Sequence, residues 1–430
     1  MIAIKERSLI KNTSWLFVLQ AVNIILPFVT VPYVTRVFGA DLYGVFSIAL
    51  NWITYFQLLV QYGFDLSATK KVVEAKTAEE LRSLVSSVVA ARLLLVGICA
   101  AVTLGIVVSC AASGSQLVCI VVMFTMLIGT AIQLNWLFQG LQDMKFITIA
   151  TAVARSLSVV LIFLLVRDSS QLVLYSFLYS ITWIVSGALT HVFSWRRYSI
   201  RFGRTSFKNV LRELRDGMPI FLSSAAGNII SNVGVTVLGA CQPSAVVGAY
   251  AAVLKVPQVV NLMFTPVSQA LYPRVNEERL NSQKSALKLV AKIGIPVTVV
   301  FAIGLTILVI IRDPLVQLLF GEEYGFGADA LIPLAVWVLL GIIDNFMGVQ
   351  LLLPFGYQRL YSALMLADCA LSVALSVSFG PLWGALGVAW AIALSEGVLT
   401  VGLLLSLLVI LNRNHSGGNG TRERKVSDND

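Results

Sequence analysis

The stretch AYAAVLKVPQVVNLMF (249–264) is apolar enough to lie in lipid, yet Lys255 stands in its middle and Pro257 follows two residues later. A cationic side chain at the centre of a bilayer costs roughly 2.5–3.5 kcal/mol on insertion scales. At 1.5 Å per residue, Lys255 lies about 13 Å inside the span from its outer end, too deep to reach the surface easily. Pro257 lacks a backbone N–H and so frees a carbonyl one turn earlier. Such breaks are tolerated where a helix lines a cavity. The stretch therefore reads as a membrane helix that turns a cation toward an aqueous cleft, ready for an anion. A lysine locked to a carboxylate to hold helices together is the other reading.

The surrounding chain supports the membrane setting. Its 430 residues are 57% hydrophobic and 12% charged, with a mean hydropathy of +0.85, whereas soluble domains carry about 25% charged residues. A crossing needs about 20 apolar residues, and twelve such runs are present: 14–37, 41–65, 83–111, 115–138, 147–166, 171–195, 217–240, 246–271, 287–311, 328–353, 360–380 and 384–411. Helices are expected, because each span must satisfy its own backbone polar groups in lipid. The first run is too long for a cleavable signal peptide. Cys99, Cys110, Cys119, Cys241 and Cys369 fall in apolar runs without metal-ligand spacing, as buried hydrophobes do. His191 and His415 lie far apart, so neither a metal nor another resident cofactor is expected.

The charges set an orientation. With the N-terminus inside, 25 of the 31 Lys and Arg fall in cytoplasmic segments, and only Arg36, Arg167 and Arg312 fall outside. Basic residues retained on the cytoplasmic side are the signature of membrane topology. The net charge of +9 is thus spread over short loops where it can meet anionic lipid headgroups, and does not form a nucleic-acid surface. Both termini are expected in the cytoplasm. The most basic loop, 196–216, divides the chain into lobes of six helices, 1–195 and 217–411, followed by a polar tail, 412–430, expected to be disordered. A weak repeat joins the halves: AVNII (21–25) aligns with AGNII (226–230), and GVF (44–46) with GAY (248–250).

Three cations remain after the loops and span ends are counted: Lys255, Arg155 and Arg92. They are the candidate anion-binding residues, with Arg92 best able to snorkel. Asp368 and Glu396 at moderate depth, and Asp344 and Asp65 nearer the cytoplasmic face, are candidates for carrying H+ or Na+ as a coupling ion; a structural pair is the alternative for each. Asn23 and Asn228 lead a set of in-span amides suited either to a polar cargo or to helix-to-helix hydrogen bonds. Helix breaks are expected at Pro27, Pro32, Pro257 and Pro266, and Arg36 at the outer surface. No GxxxxGK[ST] phosphate loop is present.

Several stretches resemble the polysaccharide-transporter branch of the MOP superfamily, most closely the Wzx-type O-antigen flippases. They are NTSWLFVLQAVNIILPFVTVPYVTRVFGADLYGVFS (12–47), QYGFDLSATK (61–70), NWLFQGLQDMK (135–145), LYPRVNE (271–277) and LLFGEEYGFGADAL (318–331). The resemblance implies an all-α polytopic fold, twelve transmembrane helices in two six-helix lobes around a central cavity open alternately to each side. It also implies a cargo, an O-antigen repeat unit on undecaprenyl pyrophosphate, moved from the cytoplasmic to the periplasmic leaflet of a bacterial inner membrane for lipopolysaccharide assembly. Partners would be that lipid-linked oligosaccharide, membrane lipids and other O-antigen assembly proteins. A MATE-like multidrug or cation exporter is the nearest alternative, though mid-depth cations argue against it. A membrane polymerase or ligase would call for a large outer loop bearing catalytic groups.

Overall fold

A computed structural model describes residues 2–110, 114–200, 202–203 and 205–423. The chain is helical, with no strand among the described residues. In order, the helices are α1 (Ile2–Gln61), α2 (Phe64–Glu74), α3 (Ala78–Cys110), α4 (Ser115–Met123), α5 (Thr125–Ile132), α6 (Asn135–Gly140), α7 (Met144–Leu165) and α8 (Leu172–Tyr198). There follow α9 (Phe207–Cys241), α10 (Ser244–Val253), α11 (Lys255–Asn281), α12 (Gln283–Ile310), α13 (Arg312–Phe320), α14 (Leu331–Asp344) and α15 (Gln358–Glu423). A π-helical stretch, Asn345–Leu352, continues α14.

Ten helical stretches among the described residues are long and apolar enough to cross a bilayer. Ser14–Glu74 covers 61 residues and Gln358–Leu411 covers 54, about 80–90 Å each against a hydrocarbon core of about 30 Å. Each contains a glycine with non-helical backbone, Gly39 (φ 67°, ψ 177°) and Gly384 (φ 56°, ψ −135°). Positive φ is a region that L side chains avoid and glycine enters freely. α1 and α15 are therefore each two helices joined at a glycine, and α2 follows α1 across a second left-handed glycine, Gly63.

The helix breaks expected at Pro27, Pro32 and Pro266 are corrected by this geometry: α1 passes through the first two and α11 through the third. One missing N–H leaves one carbonyl unpaired, which is not enough to end a long helix. Pro257 is different. It sits in the first turn of α11, and the helix is interrupted at Leu254, directly before Lys255. Residues 412–423 of the segment read as a tail continue α15, and 424–430 lie outside the described residues.

The chain forms two compact units, Met1–Ala252 with Val316–Phe326, and Val253–Leu315 with Gly327–Asp430. In this grouping α9 packs with α1, α2 and α3, and α10 meets α1 where Gly248 approaches Ala40 and Gly44, so both belong with the helices that precede the basic loop. The first unit buries Trp136, Phe138, Tyr175 and Tyr250. Its backbones approach closely where glycines allow it: a Cβ on Gly44 would collide with the Ser244 carbonyl, and one on Gly248 with the Ala40 carbonyl. Small residues at helix crossings give lipid-embedded bundles their van der Waals contact, since burial from lipid offers little driving force. The second unit is centred on Phe264, Val290, Val338, Ile342 and Leu403, while Val300, Ile303 and Ile307 on α12 stay exposed as a lipid-facing row.

Candidate functional site

The three in-span cations have three different environments. Arg92 is buried and bound on several sides. Its Nη2 donates to Asp65 Oδ1 at 2.9 Å, its Nη1 donates to the Gln133 carbonyl at 2.9 Å, and its guanidinium carbon stands 5.7 Å from the Phe64 ring centre. The Gln133 carbonyl is free because the chain leaves helical geometry between α5 and α6. That gap is closed from neighbouring helices too, by Gln57 to Thr130 Oγ1, by Gln133 to Ser186 Oγ and by the Leu134 N–H to Thr190 Oγ1. Arg92 and Asp65, separate candidates for cargo and ion, are thus one structural clamp.

Arg155, on α7, is half-buried and forms no hydrogen bond or ion pair among the described residues. Tyr179 is the group near enough to interact with it electrostatically. Tyr179 belongs to an aromatic set, with ring centres 5.4 Å from Phe46 and 5.4 Å from Trp183. An unpaired guanidinium beside half-buried aromatic rings offers charge for an anion and faces for a sugar.

Lys255, in the second unit, begins α11. Its Nζ donates to Gln258 Oε1 at 3.3 Å, and no carboxylate lies within salt-bridge distance among the described residues.

The acids divide likewise. Asp344, Asp368 and Glu396 are all buried in the second unit, at 6%, 4% and 9% exposure. Glu396 and Thr400 face Asp344, and Ser395 faces Asp368, yet no hydrogen bond of normal geometry reaches any carboxylate oxygen of either aspartate. No Lys, Arg or His forms an ion pair with the three among the described residues. Buried acids without a cationic partner are rare in native structures and point to candidate functional groups.

Asn23 leaves its buried Oδ1 unpartnered, whereas Asn228 donates to the Ser224 carbonyl in its own helix at 3.1 Å. The π-helical stretch next to Asp344 is a feature that sequence patterning misses. Gln350, fully buried within it, donates to the Ser268 carbonyl and hydroxyl, both at 3.0 Å, and Ser268 donates to Asn345 at 2.8 Å. The only signal for it in sequence is the run of Asp344, Asn345 and Gln350 in an otherwise apolar segment. Wide turns of this kind concentrate at functional sites.

Comparison with known proteins follows the same lines. The family described as "Polysaccharide biosynthesis protein" matches residues 9–278. The chain belongs to that family. It is 25% identical over 409 residues to the "Putative O-antigen transporter" of Escherichia coli (strain K12), covering 95% of this chain and 97% of the relative. A protein of the same description from Shigella dysenteriae is 25% identical over 401 residues, covering 92% and 98%. Among solved structures, the lipid II flippase MurJ in an inward closed conformation superimposes with a TM-score of 0.72 at 13% identity, covering 93% of this chain and 87% of that one. An inward-facing MATE family transporter of the MOP superfamily gives 0.62 at 16% identity, covering 90% and 95%. The family member thus has the expected all-α polytopic, MOP-type fold.

Proposed function

We propose that this polysaccharide-family member is a transporter and not an enzyme. Its cargo is an O-antigen repeat unit on undecaprenyl pyrophosphate, flipped from the cytoplasmic to the periplasmic leaflet of the inner membrane. Arg155 is the observation that carries the proposal. A guanidinium deep in a membrane span, uncompensated by any acid among the described residues, is stable there only if water or an anion reaches it. A pyrophosphate supplies that anion, and the rings of Tyr179 and Trp183 suit the attached sugars. Lys255 is a second cation held without an acid. The relatives of similar length named as O-antigen transporters support the O-antigen part of this cargo.

The bilayer crossings number twelve in this reading, with Ser14–Glu74 and Gln358–Leu411 each crossing twice about Gly39 and Gly384, and both termini in the cytoplasm. Alternating access is powered by an ion gradient through Asp344, Asp368 and Glu396. The coupled ion is H+ or Na+. Deleting the gene in an O-antigen-bearing host tests the function. Lipid-linked repeat units should accumulate on the cytoplasmic side and return to the surface when the wild-type chain is restored; unaltered surface O-antigen would refute it.

A further inference from the structure

The segment LLFGEEYGFG (318–327) resembles a family motif, yet neither the cation nor the acid cluster uses it. In the fold, residues Val316–Phe326 belong to the first unit, while the chain on either side, ending at Leu315 and resuming at Gly327, belongs to the second. The segment is a strap. It closes over the glycine break that separates the two helices of α1, on the side expected to face outward.

Its grip is specific. The Arg36 guanidinium donates to the Leu318 carbonyl. The Tyr324 hydroxyl donates to the Thr35 carbonyl at 3.2 Å, and a Glu323 carboxylate oxygen accepts from the Ala40 N–H at 3.3 Å. The Ala40 N–H is the first donor after the break at Gly39; a carboxylate is the favoured group where a helix begins. A Cβ at Gly39 would press against that same Glu323 oxygen. Val316, Phe320 and Tyr324 are buried in the first unit, and Thr35 beneath them is fully buried. Phe38-Gly39 and Phe320-Gly321 carry the two left-handed glycines of the contact, with φ of 67° and 109°.

We propose that residues 318–326 are an outer latch, whose three polar contacts hold the break at Gly39 shut and must release in every transport cycle. The proposal rests on the transport function inferred above. The strap is tied covalently to helices of the second unit at both ends, so movement of those helices either breaks the grip or is blocked by it.

The test uses the full chain with its native cysteines replaced by serine and Thr35→Cys added. Its readout is the rate of labelling by a membrane-impermeant maleimide applied from outside. Labelling should be slow in the parent and rise roughly tenfold with Glu323→Ala or Arg36→Ala, about the weight of a charge-assisted hydrogen bond. Tyr324→Phe, which removes only a hydroxyl, should raise it by a smaller factor. A second arm joins Arg36→Cys to Leu318→Cys with a reducible bifunctional thiol reagent; surface polysaccharide should be lost and should return on reduction. Unchanged labelling in the alanine variants, or full export through the cross-linked protein, overturns the latch. Labelling reads the strap whatever the cargo, so a host whose polysaccharide does not depend on this chain would count against the function and leave the latch to be decided by labelling.

Discussion

Gly44 and Gly248 meet with no room for a side chain between their helices. A Cβ built on Gly248 would stand 2.9 Å from the Gly44 backbone nitrogen and would strike the Ala40 carbonyl. These are the two glycines that the internal repeat aligns, GVF with GAY.

Valine at either glycine should therefore unseat α10 from the helix that follows Gly39. Overpacking of a tight contact typically costs about 1–3 kcal/mol, and here the obstacle is backbone, which does not rotate away. Gly97→Ala, at a position with nothing within 4 Å of the added carbon, is the control. Thermal unfolding of detergent-purified protein should show a large loss for Gly248→Val and none for Gly97→Ala.

Arg155→Ala should abolish surface O-antigen with the protein still present in the membrane at wild-type levels. Arg155→Lys, which keeps a charge but loses the planar fork, should retain part of the export. Lys255→Ala should also reduce export, with Lys255→Arg rescuing in part. Quantitative immunoblots of membrane protein beside polysaccharide gels separate loss of export from loss of protein.

Arg92 should behave in the opposite manner. Breaking a buried pair by removing one partner costs about 3–5 kcal/mol, so Arg92→Ala should lower thermal stability and membrane abundance. Asp65 is half exposed at 50%, which makes Asp65→Asn milder. The double variant should lose less than the sum of the two, as expected for groups in direct contact.

Asp344→Asn, Asp368→Asn and Glu396→Gln should leave the protein folded, because each amide keeps the shape of its acid and none of the three has an ion pair among the described residues to lose. Their export should become insensitive to the transmembrane proton gradient. Sealed vesicles in which that gradient is collapsed, with sodium held constant, give the measurement; wild-type response in all three variants would remove the coupling role.

Much of this molecule is legible from the sequence because hydropathy is a local property. The runs expected to end at 37 and 380 and to resume at 41 and 384 flank Gly39 and reach Gly384, where the backbone turns. Depth and charge single out Arg155 and Lys255 in the sequence, whereas the absence of an acid partner for either among the described residues is a tertiary fact. Arg92 shows the limit. Its depth resembles that of Arg155, but whether an in-span cation is free or clamped depends on which neighbour presents an acid and which helix has opened its carbonyls. Asp65 and the gap at Gln133 lie 27 and 41 residues away in the chain. The wide turn at Asn345–Leu352 has no repeating pattern to betray it, since one extra residue per turn leaves hydropathy unchanged.

The strap also bears on how the protein is made. The first unit ends its main run at Ala252 and receives its last piece only at Val316. At a synthesis rate of about 5–20 residues per second, the ribosome needs on the order of 3–13 s to cover the interval. During that time Thr35, Gly39 and Ala40 wait uncovered in a nascent chain whose early helices are already in the membrane. Completion of the amino-terminal unit is therefore deferred to a late moment of translation, and a polypeptide truncated before residue 316 would leave that unit permanently unfinished.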